Sequence, residues 1–337
     1  NMGVFMLKLV ILIIYFAVLI GIGLYCRKHA TDVNGFVLGG RSVGPWLTAF
    51  AYGTSYFSAV VFVGYAGQFG WKYGIAATWA GIGNAIIGSL LAWVVLGRRT
   101  RIMSQHLDSA TMPQYFGKRF GSNPLKIGAS VIIFIFLIPY TASLYNGLSR
   151  LFGMAFNIDY SVCIIIMATL TAIYVIAGGY MATAINDFIQ GIIMLFGIIA
   201  VIAAVIHSKG GFMSALQGLA NVSDPAVSNT PGIFASFFGP DPFNLLCVVI
   251  LTSLGTWGLP QMVQKFYAID NEASIQKGTV ISTIFALIVS GGCYFLGGFG
   301  RLFSDQIDVK ANGFDSIIPT MPVSYTHLRA HETLANL

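Results

Sequence analysis

A stretch of 44 residues, from Cys163 to Ile206, contains a single charged side chain, that of Asp187. The paired glycines Gly178 and Gly179 divide this stretch into two apolar segments, and Asp187 stands near the start of the second. A carboxylate between two segments that are apolar enough to span a membrane carries a large free-energy cost, and such residues are usually functional. The sequence therefore points to a membrane protein in which Asp187 has a role.

The composition supports this interpretation. Charged residues make up 9% of the chain, against roughly 25% in soluble proteins. The mean hydropathy is +0.78, so a soluble fold of this size could not cover its surface. The first apolar run, residues 4–26, is long enough to span and lacks the cleavage site of a signal peptide. We expect an all-α polytopic protein of the cell membrane, in contact with lipid. The net charge of +6 requires no nucleic-acid partner, since the basic residues fall in loops.

About eight segments are long enough to cross the ~30 Å hydrocarbon core of a bilayer. The connections on one side hold 11 Lys and Arg residues, including Lys265, and those on the other side hold 5. Because basic residues favour the cytoplasmic side, the amino terminus is predicted to lie outside. The predicted spans cover residues 4–26, 45–70, 74–97, 127–153, 159–178, 188–207, 243–264 and 279–300.

Two of these spans contain helix-breaking residues. Span two has Gly53 in a small, hydroxylated stretch, and span seven has Gly255, Gly258 and Pro260. Such glycines would allow unusual dihedral angles, although Gly and Ser also serve close helix packing in membranes. Matched breaks five spans apart favour an inverted-repeat transporter, in which unwound backbone binds ions and solute.

Asp187 has two possible roles at this stage. Its carboxylate could bind or attract a sodium ion, because hard cations prefer oxygen ligands. Alternatively, Asn186 and Asp187 could cap the amino terminus of span six. Both roles could hold at once.

The carboxyl-terminal residues 323–337 are interpreted as a non-native tail. They change abruptly to polar, non-periodic sequence that resembles translated read-through of a sequencing adapter. His327, His331 and Glu332 have zinc-like spacing, but we reject a zinc site there for the same reason. Residues 1–322 would then form a partial transporter domain, with the natural chain interrupted near residue 322.

Several motifs are similar to those of the sodium:solute symporter family, in its pantothenate and proline branch. The resemblance covers residues 2–322. The motifs are Gly39-Gly40-Arg41-Ser42-Val43-Gly44-Pro45, Trp71-Lys72-Tyr73-Gly74, Gly178-Gly179, Asn186-Asp187-Phe188-Ile189-Gln190-Gly191, Gly258-Leu259-Pro260 and Ile317-Ile318-Pro319-Thr320-Met321.

The resemblance implies a five-plus-five helix fold of two inverted repeats preceded by one extra helix. Spans two to six would form the first repeat, and spans seven and eight would begin the second. Sodium would be the coupling ion, with no other metal or cofactor. Its implied ligands are the carbonyl groups of Thr54 and Phe57, with Asp187 at an additional site or entry path.

The resemblance also places the solute between the broken helices and span four. Proline transporters of the family carry an acidic residue where this chain has Tyr56, and aromatic residues at Thr252 and Thr256. These departures lower the expectation of proline, whereas Asn186 favours the pantothenate branch and a carboxylate-bearing solute. The candidate solute-binding residues are Ser55, Tyr56, Tyr140, Ser143, Thr256 and Trp257.

The predicted function is sodium-coupled uptake of a small organic solute, such as pantothenate or an amino acid, by alternating access. The alternative is a membrane nutrient sensor that reuses the transporter fold. An enzyme is disfavoured, because Asp187 alone offers no convergent catalytic set.

Overall fold

The computed structural model describes residues 2–58, 60–156, 158–309 and 313–321, so the tail at 323–337 lies outside the described residues. Within these ranges the chain is helical nearly throughout, as predicted, and extended backbone pairs only at two isolated bridges. The α-helices are Met2–Cys26, Val33–Leu38, Pro45–Tyr56, Ala66–Tyr73, Thr78–Gly83, Arg98–His106, Met112–Phe120, Asn123–Phe156, Tyr160–Ser208, Phe212–Ala220, Pro242–Leu254, Pro260–Ala268 and Glu272–Gly298. The π-helices are Val60–Tyr65, Asn84–Leu91 and Trp93–Gly97. The 3-10 helices are Arg27–His29, Gly39–Arg41, Gly74–Ala77, Ile233–Ala235, Gly255–Gly258, Gly300–Phe303 and Phe314–Ser316.

Five of the described helical runs are long and apolar enough to cross a membrane, and a broken helix pair makes a sixth. The two longest, Val60–His106 and Tyr160–Ser208, have 47 and 49 residues. At 1.5 Å per residue each would be about 70 Å long, more than twice the bilayer core. Gly74 and Gly179 interrupt them at φ angles of 63° and 57°. Divided at these glycines, the apolar runs correspond to the eight predicted spans.

The break in span two lies later than expected. The Pro45–Tyr56 helix continues through Gly53, which is buried, and the next helix begins at Val60. The carbonyl oxygen of Ser58 accepts the backbone N–H of Phe62 at 3.0 Å and so starts that next helix. The prediction that Gly53 is a break residue is therefore wrong. Glycine permits a helix to break but does not force it, and a buried membrane glycine also serves packing.

The break in span seven lies where it was predicted. Pro242–Leu254 passes into the 3-10 turn Gly255–Gly258, and Leu259 then leaves helical geometry at φ −70° and ψ 127°. The ring of Pro260 disfavours helical dihedrals at the preceding residue and suits the first position of a new helix. Gly255 itself has ordinary helical angles, φ −57° and ψ −27°. The proline, and not unusual glycine dihedrals, explains the break.

The chain divides into two compact units, and the first comprises residues 1–56, 91–191 and 257–282. Its interior contains an aromatic cluster in which the centre of the Tyr52 ring lies 5.6 Å from the ring centres of both Trp93 and Phe266. A Cβ atom at Gly278 would lie 2.4 Å from the Trp93 ring, so this glycine makes room for the indole. The cluster fixes the Pro45–Tyr56 helix in the interior of this unit.

Two arginines of the first unit hold the carboxyl-terminal end of the Pro260–Ala268 helix. Arg41 donates to the Tyr267 carbonyl at 3.2 Å, and Arg101 donates to the Ile269 carbonyl at 2.9 Å. The last carbonyls of a helix lack partners within it and carry partial negative charge. Burial lowers the pKa of the Arg41 guanidinium, and the charge of Asp108 opposes this shift. The end of the helix is therefore anchored at its backbone.

The second unit comprises the described residues within 57–90, 192–256 and 283–321. Its helices approach closely at glycines, as membrane helices commonly do. A Cβ atom at Gly70 would lie 2.0 Å from the backbone of Gly297, and one at Gly81 would lie 2.6 Å from the Cα of Gly291. Elsewhere in this unit Phe234 packs with Leu219 and Phe299 in a small apolar core.

These contacts predict opposite tolerance at two glycines of the second unit. Gly81→Leu should sharply reduce folded yield, because the new side chain meets the Gly291 backbone, which cannot move aside. Overpacking of this kind costs about 1–3 kcal/mol or more. Gly255→Leu should express normally, since no described atom lies within 4 Å of its Cβ position. Fluorescence-detected size-exclusion chromatography of the two variants checks this. Equal losses would contradict the packing described here.

Candidate functional site

Asp187 lies in the interior of a membrane helix. Gly179, at φ 57° and ψ −150°, ends the segment before it and lets a new helical segment start at Tyr180. Asp187 follows Tyr180 by two helical turns, so both side chains project from about the same face. The backbone is helical on both sides of Asp187, so the alternative in which it caps the start of span six is wrong.

The carboxylate of Asp187 faces a buried lysine. Lys265 Nζ lies 3.9 Å from Asp187 Oδ2, with side-chain exposures of 8% and 22% respectively. The same ammonium group lies 4.9 Å from the centre of the Tyr180 ring, a cation–π distance. Among the residues that the structure describes, the ammonium makes no hydrogen bond. At 3.9 Å the ion pair is an electrostatic contact and exceeds hydrogen-bond length.

Lys265 is a site residue that is not predicted from the sequence. The distribution of basic residues places it in a cytoplasmic loop, but it is buried in the Pro260–Ala268 helix. One signal could have revealed it. Gln261 and Lys265 stand four residues apart after Pro260 and therefore share a face of the new half-helix. A half-helix in the membrane with a lysine on its polar face can supply the counter-charge for an isolated carboxylate elsewhere in the membrane.

Thr54 is the other polar neighbour of Asp187. Its hydroxyl donates to the Phe50 carbonyl at 2.9 Å. Thr54 lies in the last turn before the break in span two. The structure thus brings together two of the three residues predicted to bind sodium. The third, Phe57, lies just past the end of that helix and belongs to the second unit.

Several buried polar groups surround this part of the first unit. Asn186 is 1% exposed, and neither atom of its side-chain amide has a hydrogen-bond partner in the described part of the chain. The same holds for the Gln261 amide and the Tyr180 hydroxyl. An unsatisfied buried polar group costs about 1–3 kcal/mol, so native proteins keep few of them. They stand on the two helical segments that carry Asp187 and Lys265, which is typical of a polar site.

The candidate solute residues of span four lie on an exposed helix surface. Tyr140 is half-buried and Ser143 is exposed, on the Asn123–Phe156 helix. The Ser143 hydroxyl donates to the Tyr140 carbonyl at 2.7 Å. The described residues do not enclose this patch, and its role in solute binding stays a prediction.

The remaining candidates lie at the two breaks. Ser55 is half-buried and Tyr56 is buried, both in the last turn of the Pro45–Tyr56 helix. Trp257 is half-buried in the 3-10 turn of span seven. Thr256 is in the same turn, but it belongs to the second unit, and its hydroxyl donates to the Ser253 carbonyl at 2.9 Å. Their role in solute binding also stays a prediction.

The described site offers oxygen ligands to a cation. A carboxylate and a hydroxyl are the ligand types that hard cations such as sodium prefer. The site also holds its own cation, the Lys265 ammonium, at ion-pair distance from the carboxylate. In a membrane interior such pairing offsets much of the cost of burying Asp187.

Comparisons with known proteins place the chain in a family. Residues 36–318 match the sequence model of the Sodium:solute symporter family. The osmoregulated proline transporter OpuE of Bacillus subtilis is 29% identical over 299 residues, which cover 88% of this chain and 59% of that protein. A sodium/proline symporter of Staphylococcus aureus is 29% identical over 322 residues, which cover 93% of this chain and 60% of that protein. The chain thus spans about 60% of the length of these curated relatives.

A solved structure shows the same fold. The substrate-bound, outward-open state of a Na⁺-coupled sialic acid symporter superposes with a TM-score of 0.69 at 15% sequence identity. The match covers 94% of this chain and 68% of that one. The predicted transporter fold is confirmed by this likeness. With the family match over most of the chain, the resemblance inferred from its motifs is also confirmed, and this multi-pass membrane protein belongs to the sodium:solute symporter family.

Proposed function

We propose that the protein is a sodium-coupled uptake carrier for a small organic solute. The observation that supports this most directly is a buried carboxylate, Asp187, with Thr54 near it beside a helix break, in a member of a symporter family. These residues supply the oxygen ligands that a sodium ion prefers. Thr54, Phe57 and Asp187 are the proposed sodium-binding residues, with Phe57 contributing its carbonyl group.

The proposed solute is an amino acid or another small carboxylate. Two relatives are a proline transporter and a sodium/proline symporter, which makes proline the first compound to test. Tyr56 and Thr256 depart from the proline-transporter pattern, so pantothenate is the second. The proposed solute contacts are Ser55, Tyr56, Tyr140, Ser143, Thr256 and Trp257.

Coupling would follow from differential affinity. If sodium binds more tightly to the solute-competent arrangement, it shifts the population toward that arrangement. By linkage, the solute must then raise the affinity for sodium by the same factor. The carrier would need no covalent chemistry.

The proposed orientation has the amino terminus outside the cell. Burial of Lys265 and Arg101 leaves nine residues in the cytoplasmic count of Lys and Arg, and burial of Arg301 leaves four on the other side. The bias that sets membrane topology therefore keeps its sign. Cysteine labelling of an added amino-terminal tag in intact cells would test this orientation.

Uptake by proteoliposomes that contain the full-length gene product tests the function. We expect radiolabelled proline or pantothenate to accumulate under an inward sodium gradient, and not under a matched potassium gradient. Saturable binding of either compound without accumulation would favour the sensor alternative. Accumulation that is independent of sodium would contradict the proposed coupling.

A further inference from the structure

We propose that Lys265 is a built-in competitor of sodium at Asp187. In this proposal, which rests on the proposed function, the ammonium group and a sodium ion alternate as the cation beside the carboxylate. Sodium binds to Asp187 only when the Lys265 ammonium has moved away, so Lys265 sets the sodium concentration at which the carrier loads.

The geometry of the ion pair supports this exchange of cations. At 3.9 Å from the carboxylate, the ammonium group neutralises Asp187 without a direct hydrogen bond. A structural ion pair in a membrane would be expected to form short, charge-assisted hydrogen bonds of about 2.7–2.9 Å. The longer separation leaves the carboxylate oxygens available to a small cation.

The Lys265 side chain can change rotamer while the backbone of its helix stays in place. The carboxyl-terminal end of its helix is anchored, because Arg41 and Arg101 bind the carbonyls of Tyr267 and Ile269. The lysine stem has four carbons and rotates readily. Within the described residues its ammonium group has only electrostatic contacts, with Asp187 and the Tyr180 ring. An exchange of cations therefore requires a change of rotamer and no movement of the helix backbone.

The surroundings of Lys265 offer other contacts to a displaced ammonium group. The face of the Tyr180 ring already lies 4.9 Å from it, and cation–π contacts stabilise a desolvated cation by up to about 2 kcal/mol. Gln261, one turn before Lys265, has a buried amide oxygen without a partner in the described ranges. That oxygen is a hydrogen-bond acceptor on the same face of the helix.

The test is binding of radioactive sodium ions alone to the purified full-length protein, with potassium chloride holding the ionic strength constant. Lys265→Met removes the charge and keeps much of the apolar stem. Because it removes the competitor, it should lower the dissociation constant for sodium by about tenfold, within the usual range of coupling between sites. Lys265→Arg keeps a permanent charge and should not lower it. Lys277→Met is the matched control, since Lys277 is exposed on the Glu272–Gly298 helix, and it should bind sodium like the unmodified protein.

The outcomes separate this proposal from the proposed function. If the unmodified protein binds no sodium and none of the variants does, the proposed function fails. If the unmodified protein binds sodium and folded Lys265→Met binds it equally or more weakly, the competitor role is excluded. Should Lys265→Met not fold, Lys265→Gln replaces it in the same assay, because its amide can hydrogen-bond to Asp187 without carrying charge. An unchanged sodium affinity in Lys265→Gln would overturn the proposal in the same way.

Discussion

Replacing Asp187 with asparagine should weaken sodium activation of uptake by at least about tenfold. Asparagine keeps the size and the hydrogen-bonding ability of the side chain but loses the charge. A unit charge about 4 Å away contributes ~4 kcal/mol at an effective dielectric constant of ~20, so loss of the charge should dominate. The measurement is the sodium concentration that half-activates solute uptake. Asp159→Asn is the control, since Asp159 accepts a backbone hydrogen bond at the start of another helical segment.

Asp187→Asn should also destabilise the protein, because it leaves the buried Lys265 ammonium without a counter-charge. Removal of one partner of a buried ion pair typically costs about 3–5 kcal/mol. The double variant Asp187→Asn/Lys265→Met removes both charges and should recover thermal stability without recovering sodium activation. Recovery of both properties would contradict a direct role of the carboxylate in ion binding.

Replacing Arg301 with methionine should cause the largest loss of stability in the second unit. Arg301 is 6% exposed, and its guanidinium stacks 3.9 Å from the centre of the Phe234 ring. It donates to Asp224 Oδ2 at 2.9 Å and to the Trp71 carbonyl at 2.5 Å. Methionine keeps some packing but leaves both acceptors unpaired, for an expected loss of about 3–5 kcal/mol. Thermal denaturation in detergent, followed by size-exclusion chromatography, measures this loss.

Arg98→Met is the matched control for Arg301→Met. Arg98 also pairs with a carboxylate, that of Glu272, at 2.6 Å, but its side chain is 70% exposed. Exposed ion pairs contribute only about 0–1 kcal/mol, so the melting temperature should barely change. Arg301→Lys should behave like Arg301→Met, because lysine keeps the charge but loses the planar fork and the stacking. A mild effect of Arg301→Lys would show that charge alone matters there.

The sequence predicted features that depend on local chemistry. The break at Pro260 is predictable because the proline ring disrupts a helix interior. The positive φ at Gly179 is predictable because glycine, which lacks a side chain, adopts such angles readily. Asp187 was identified because a lone carboxylate in apolar sequence is conspicuous. Each of these predictions needed only the residue and its neighbours in the chain.

The sequence could not predict features that depend on residues far apart in the chain. Lys265 was assigned to a loop because polar residues accumulate around it, and its contact with Asp187 exists only in the folded unit. The error at Gly53 has the same origin. A glycine in a membrane helix serves packing or bending equally well, and its neighbours in space decide which. Whether Tyr140 and Ser143 meet a solute likewise depends on surroundings that local sequence does not specify.

The contacts of the two arginines with the Pro260–Ala268 helix can form only late in biosynthesis. Arg41 and its acceptor Tyr267 are 226 positions apart, and the first unit is assembled from three separate parts of the chain. Contacts between residues so distant in sequence form slowly, because the intervening chain must first be closed into a loop. Because synthesis proceeds from the amino terminus, residues 1–56 enter the membrane long before residues 257–282 leave the ribosome. Until then the hydrogen bonds that Arg41 can form, among the described residues, are those with Ser104 and Ser109. The early helices therefore remain in a partly assembled state that is accessible to membrane proteases and chaperones.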